Sequence, residues 1–250
     1  MKLITVVILV MMLALPEALQ AKAVKTQMLS YKSGDESVNG YLVTPESRGR
    51  HPAIVVIHEW WGLVPWVKEQ ANNFAQQGYV ALAVDLYHGK SASDPNEAHE
   101  LMRGLPQDGA VRDLKAAFDY LASRPDVDPK RIGSVGWCMG GGHSLLLAEN
   151  EPKLAACAVN YGAMPTDPAL IAKIHAPVLG NFGGLDHGIT PDAVHAFEKG
   201  MKAEGKTIDV KIYDDAGHGF ENPNNKAGYR KEDAADAWSR IMAFFDKTLK

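Results

Sequence analysis

From residue 24 onward the apolar positions of the chain fall into two rhythms. Residues 24–31 and 38–44 alternate apolar with polar side chains, and Ser33-Gly34-Asp35-Glu36 supplies a turn between them. That pattern predicts a β-hairpin. Residues 52–58 and 79–84 are instead unbroken apolar runs, the mark of strands covered on both faces, and 132–135 forms a short strand of the same kind. Further strands are predicted at 154–161, 177–182 and 208–213. Between them, apolar residues at helical spacing predict helices over 67–77, 111–123, 144–149, 168–174, 192–203 and 233–249, the last with Trp238, Ile241, Phe244 and Phe245 turned inward. A polar excursion over 88–107 carries one short helix near 97–102, and 124–129 loops into the strand at 132. Strands alternating with helices imply an α/β fold: a mostly parallel central sheet with helices on both faces, led by an antiparallel hairpin. No linker divides residues 24–250, which are read as one domain.

The first 23 residues follow another logic. Lys2 precedes an uncharged, almost wholly apolar run over 3–15, too short to span a bilayer as a helix, and small residues follow it. A secretory signal peptide is expected there, cleaved after Ala21 or at Ala21-Lys22-Ala23, and hence a secreted or periplasmic protein with no membrane attachment once the leader is removed. The composition of the full chain is that of a globular protein, with 46% hydrophobic and 22% charged residues. A formal net charge of -4 without a Lys or Arg run argues against nucleic acid as a partner. Two Cys in an oxidising compartment invite a disulfide. However, Cys157 falls early in its strand while Cys138 lies beyond the end of its own, so their Cα atoms should exceed the roughly 7 Å that a bridge tolerates. Cys157 is read as a buried hydrophobe.

Candidate chemistry centres on Cys138. It stands two residues from Gly136 and Gly140, between a strand and a helix. This G-x-C-x-G is the nucleophile elbow of the α/β-hydrolase fold with sulfur in place of oxygen. The tight turn requires small neighbours, and the helix N-terminus beyond it favours negative charge on the sulfur. A thiol nucleophile needs a base, a group to orient that base, and donors for the oxyanion. Groups just beyond the ends of parallel strands converge on one edge of the sheet. Asp186 follows the strand at 177–182, and His218, between Gly217 and Gly219, follows the strand at 208–213. The order nucleophile, acid, histidine is the one this fold uses; Asp214 and Asp215 are rival acids on the histidine's own loop. Ile57-His58-Glu59-Trp60-Trp61-Gly62 ends the third strand and nominates the backbone N–H groups of Trp60 and Met139 for the oxyanion hole. Glu59 then points into the site. Gly62 occupies the place where H-E-x-x-H needs its second His, so no metal is implied, and with no P-loop or dinucleotide fingerprint no cofactor is implied either. Trp60, Trp61 and Trp66 near the mouth suit an apolar acyl or aromatic group.

With these residues in view, the chain after the leader resembles the dienelactone hydrolase family. The resemblance rests on His58-Glu59-Trp60-Trp61-Gly62, Asp85-Leu86-Tyr87, Gly136-Trp137-Cys138-Met139-Gly140-Gly141, Asp186-His187 and Gly217-His218-Gly219-Phe220. It implies a Cys138–His218–Asp186 triad, and a Glu59 that controls the ionisation and orientation of the thiol until substrate displaces it. It further implies opening of enol-lactones to carboxylic acids. The likeness breaks where well-known members grip the lactone's carboxylate with two arginines, because Gly89 and Asn222 stand at those places. Lys90 or Arg103 could substitute, with Trp61 as a further substrate contact. The expectation is therefore a monomeric hydrolase of small lactones or carboxylic esters working through an acyl-enzyme. A broad carboxylesterase or thioesterase, or a non-catalytic binding module on the same scaffold, are the alternatives.

Overall fold

The computed structural model describes residues 23–250. The expected leader, Ala23 apart, lies outside the described residues. β1 (Val24–Ser33) and β2 (Glu36–Pro45) form the antiparallel hairpin, in register from Val24–Pro45 to Ser33–Glu36. Next in the chain come β3 (His51–Ile57), α1 (Pro65–Gln76) and β4 (Val80–Val84), then α2 (Pro95–Arg103) and α3 (Gln107–Ser123). β5 (Val127–Trp137), α4 (Met139–Asn150), β6 (Ala156–Asn160), α5 (Pro168–Ile171) and β7 (Val178–Gly183) follow. α6 (Pro191–Ala203), β8 (Ile208–Tyr213) and α7 (Lys231–Leu249) complete the chain. The eight strands lie in the order β1-β2-β4-β3-β5-β6-β7-β8. β2 meets β4 antiparallel, and every later pairing is parallel. This is the α/β-hydrolase architecture expected from the strand–helix alternation.

Strand periodicity divides the interior into two cores. Ala53, Val55 and Ile57 of β3 and Leu82 of β4 face one way, against Leu114 and Phe118 of α3, Leu145 of α4 and Phe197 of α6. Ile54 and Val56 of β3 and the small Ala81, Ala83, Ala156 and Ala158 face the other way. Those alanines make room for the bulk of α1 and α7, where Phe74, Trp66, Ile241 and Phe245 pack. Along α7 the buried stripe is Ala237, Ile241, Phe245 and Leu249, while Trp238 and Phe244 sit at its flanks, only partly buried. Among the described residues no helix is long and apolar enough to cross a membrane.

Several boundaries differ from the pattern-based expectation, each for a physical reason. α1 begins at Pro65, whose missing N–H costs nothing in a first turn. α2 begins at Pro95 for the same reason, with Asp94 accepting from the Asn96 and Glu97 N–H groups. α3 starts at Gln107, four residues earlier than the apolar periodicity suggests, because a polar first turn carries Asp108 at the positive end of the helix. β5 starts at Val127, and a bulge between the His51–Val127 and Ala53–Ile132 pairs accommodates Pro129. β6 stops at Asn160 because Tyr161 leaves extended geometry at φ 38.

The largest difference is α4, which begins directly after Cys138 rather than at Ser144. Three successive glycines argue against helix on propensity, but packing overrides propensity here. A Cβ on Gly140 would lie 2.4 Å from the Ile57 carbonyl oxygen and 2.5 Å from that of His58. One on Gly136 would lie 1.9 Å from the Gly140 oxygen. The first turn of α4 is thus pressed onto the ends of β3 and β5 at a distance that only hydrogen in place of Cβ allows. Gly140→Ala is therefore expected to cost about 3 kcal/mol of stability, measured by urea unfolding. An equally stable variant would contradict this packing account.

Candidate active site

The site lies beyond the C-terminal ends of β3, β5, β7 and β8, where the parallel strands deliver one loop each. Cys138 caps α4 with φ 55 and ψ -120, a backbone conformation that is rare outside glycine and is held here by its surroundings. Its N–H donates to the Asn160 carbonyl at 3.0 Å. Asn160 in turn donates through Nδ2 to the Gly136 carbonyl at 3.1 Å, and Asn181 donates to Asn160 Oδ1 at 2.9 Å. Two buried asparagines at the ends of β6 and β7 therefore brace the elbow from the neighbouring strands. Cys138 is free and partly exposed. Cys157 is free and buried opposite Ser134, three residues before the end of β5, with the Ser144 hydroxyl 3.3 Å from its sulfur. Burial pushes the Cys157 thiol up to about 11, as suits a core residue.

Asp186 and His218 meet across the ends of β7 and β8. His218 Nδ1 lies 2.7 Å from Asp186 Oδ2, and Asp186 Oδ1 accepts the Gly188 and Ile189 N–H groups at 2.8 and 2.9 Å. Burial alone would raise the Asp186 carboxyl, but the His218 ring and these two amides hold it below the usual carboxylate range. Desolvation would lower His218, yet its contacts with Asp186 and Cys138 outweigh this and raise it to about 10. With Nδ1 engaged by Asp186, the other ring nitrogen is the one left for Cys138. The buried Tyr161 ring lies edge-on to His218 with centroids 5.2 Å apart. Asp214 and Asp215, the rival acids, are exposed on the loop.

Glu59 occupies the floor and is only 4% exposed. Its Oε2 accepts from Asn222 Nδ2 at 2.6 Å. Desolvation lifts the Glu59 carboxyl to about 7, opposed by Asn222, His218 and Tyr161. His58, beside it, is structural. Its Nε2 accepts from the Leu86 N–H at 3.2 Å, so Nδ1 carries the hydrogen and donates to the Glu59 carbonyl at 2.5 Å. Burial lowers His58 to about 4 and keeps it neutral. Among the described residues no three His, Cys, Asp or Glu side chains are grouped as metal ligands.

The Met139 N–H opens α4, where the helix provides no partner. The Met139 sulfur accepts from the Tyr87 hydroxyl at 3.2 Å. Asp85 Oδ1 and Oδ2 accept the Tyr87 and Gly89 N–H groups, which shapes the turn that presents Tyr87. Trp60 and Trp61 pack edge-to-face at 4.9 Å, and His99 of α2 lies against Trp60 at 4.8 Å. Trp66, expected at the mouth, is buried under α1 against Trp137 at 5.2 Å. Its place on the first, inward-facing turn of α1 decides this. Arg103 turns to Glu100 at 2.5 Å on an exposed face. Lys90 lines a cavity of about 640 Å³ with Tyr87, His88 and Arg112. Neither reaches the Cys138–His218 pair in any contact found among the described residues.

Sequence reasoning missed four contributors: Asn160, Asn181, Tyr161 and Glu221, whose Oε2 accepts the indole N–H of Trp137 at 2.9 Å. The two asparagines were visible as polar residues ending otherwise apolar strands, a pattern that asks where the amide is satisfied. Tyr161 and Glu221 carried no such signal.

This geometry sits within clear relatives. The model of the dienelactone hydrolase family matches residues 38–249. "Protein usf" of Aquifex pyrophilus is 33% identical over 230 residues, covering 89% of this chain and 99% of that protein. A protein of Aquifex aeolicus named "Putative carboxymethylenebutenolidase" is 29% identical over 231 residues, covering 90% of this chain and 99% of that one. A crystal structure from Klebsiella pneumoniae titled as a "Putative Dienelactone Hydrolase" superposes with a TM-score of 0.82 at 27% identity, covering 90% of this chain and 99% of that one. The match runs from the hairpin through the elbow, the Asp186 turn and the His218 loop to the last turn of α7, and by that reach the chain belongs to the dienelactone hydrolase family and is a hydrolase.

Proposed function

We propose that the protein hydrolyses small, uncharged lactones or carboxylic esters through a Cys138 acyl-enzyme. The observation that carries this reading is the convergence on one sheet edge of Cys138 at a strained elbow and a His218–Asp186 pair at 2.7 Å. In this reading His218 takes the thiol proton and Cys138 Sγ attacks the carbonyl carbon. The Trp60 and Met139 N–H groups receive the oxyanion. Collapse breaks the acyl–oxygen bond, and the proton held by His218 goes to the leaving alkoxide. Water, deprotonated by His218, then cleaves the thioester and regenerates the thiol. Asp186 holds the ring in the required tautomer. Glu59, facing His218, supports the imidazolium in its ionised form and not in its protonated form.

Asn222 carries no charge and donates to Glu59, and Arg103 is paired with Glu100, so neither forms a cationic fork for a substrate carboxylate. That favours neutral substrates over the carboxylated lactones of the better-known family members. Turnover of p-nitrophenyl acetate and of dihydrocoumarin is expected to exceed that of carboxylate-bearing counterparts in kcat/KM. Cys138→Ala should lower both by a factor on the order of 10⁴ or more. Full activity in that variant would refute the thiol mechanism.

The pH dependence follows from Glu59. Its activating form is the ionised one and burial places its titration at about 7, so kcat/KM should rise with pH through that region. Asn222 donates to the carboxylate and favours ionisation, and its loss must push the titration upward. In Asn222→Leu the acid limb should therefore move to higher pH, read from kcat/KM profiles. A limb that stays in place or moves down would remove Glu59 from this role.

A further inference from the structure

Asn160 and Asn181 are fully buried polar residues in otherwise apolar strands, and they pair directly across β6 and β7. Their amides form one hydrogen-bond chain with the elbow, and the chain does not stop at Asn181. Arg240 of α7 donates through Nε to Asn181 Oδ1 at 3.1 Å. Asn181 Nδ2 then donates to Asn160 Oδ1 at 2.9 Å, and Asn160 Nδ2 to the Gly136 carbonyl at 3.1 Å. Arg240 stands one residue before Ile241, on the flank of the buried stripe of α7. The outer part of its guanidinium meets Asp209, with Nη2 3.1 Å from Oδ1, and the Arg240 side chain is 23% exposed against 66% for Asp209. Arginine suits this place because Nε lies below the charged head. The head stays at the surface while the N–H beneath it reaches the sheet.

The chain runs from a group that only donates to a group that only accepts. An amide can point either way, so two amides in series have two directions open to them. The reverse direction would set Asn160 Oδ1 against the Gly136 carbonyl oxygen, and a reversed Asn181 would turn its NH₂ onto the guanidinium. Arg240 closes that alternative from the outer end. What the chain holds is the elbow: Asn160 grips Gly136 through its side chain and accepts the Cys138 N–H at 3.0 Å through its own carbonyl. The Asn181 carbonyl accepts the Tyr161 N–H at 2.8 Å, and the Tyr161 ring lies against His218. Without the Arg240 N–H, Asn181 Oδ1 would be left buried and unpaired, and any amide shift that relieved it would pass along the chain to Gly136. A residue held at φ 55 persists only where its surroundings over-determine it.

We propose that Arg240 is a positioning residue: its Nε–H fixes the direction of a buried amide chain that holds the elbow at Cys138. Its effect on rate rests on the thiol-hydrolase reading above; its effect on the elbow does not. The role belongs to a single donor atom, and neither the ion pair with Asp209 nor the bulk of the side chain supplies it.

Three variants of the full chain separate these contributions. Arg240→Gln places an amide N–H₂ at the same point along the side chain as Nε and removes the charge. Arg240→Met places a methyl group there. Asp209→Asn removes the ion pair alone. Two readouts are taken, kcat/KM for p-nitrophenyl acetate and deuterium uptake by the peptide that carries Gly136 to Gly140. Arg240→Met should lower kcat/KM roughly tenfold and speed uptake, Arg240→Gln should recover most of both, and Asp209→Asn should stay within about twofold of wild type. Equal impairment in Arg240→Gln and Arg240→Met overturns the proposal, as does a folded Arg240→Met protein that matches wild type, or an Asp209→Asn protein as impaired as Arg240→Met. Where Arg240→Met does not fold, Asn181→Asp takes its place, because it still accepts from Arg240 and cannot donate to Asn160; wild-type rate and uptake there overturn the proposal. Full activity in Cys138→Ala overturns the thiol reading instead, and deuterium uptake in Arg240→Met against Arg240→Gln then judges the chain on its own.

Discussion

Everything at this site depends on how closely the first turn of α4 lies against the ends of β3 and β5. Hydrogen in place of Cβ at Gly136 and Gly140 lets the backbone carbonyls of Ile57 and His58 approach the helix, and no larger residue fits. That contact lifts Cys138 clear of the sheet, points the open end of a helix toward its sulfur, and fixes the strand that carries Glu59. The cost of holding Cys138 at φ 55 is borne by the braces around it: the Asn160 and Asn181 amides and the Asn160 carbonyl. The strain is local and the support is distributed over three strands.

A second layer of order comes from the loop after β8. His218, Glu221 and Asn222 are spaced so that one short segment touches Asp186, Trp137 and Glu59. The position of the imidazole is thereby coupled to that of the floor carboxyl. Electrostatics follows from this placement. Asp186 sits among donors and stays ionised, whereas Glu59 and Glu221 sit among few donors and are driven toward protonation near neutrality. Three carboxyls around one site thus differ in ionisation through burial and hydrogen-bond supply rather than through residue type.

Much of this was legible in the chain. Unbroken apolar runs with alternating helices announce a parallel sheet, and glycines flanking a cysteine between a strand and a helix announce a sharp turn. Asp186 and His218 could be placed because strand ends in such sheets share an edge. The start of α4 was not legible, since glycine's weak helix propensity hides a helix whose stability comes from tertiary contact. Trp66 was misplaced because the same large ring serves a cleft or a core, and only the inward turn of α1 decides between them. Glu221 was invisible for a related reason. A glutamate in a polar loop looks solvated until the indole of Trp137 and the burial of one oxygen are in view.

The reading stands or falls on where the acyl group is held. Rapid quenching of the protein with p-nitrophenyl acetate, followed by digestion and peptide mass spectrometry, locates it directly. The account predicts an acetyl thioester on the peptide containing Cys138, accumulating within the first turnovers. Turnover with the acetyl group on a serine or histidine instead, or with no adduct at Cys138 at any time, would contradict it.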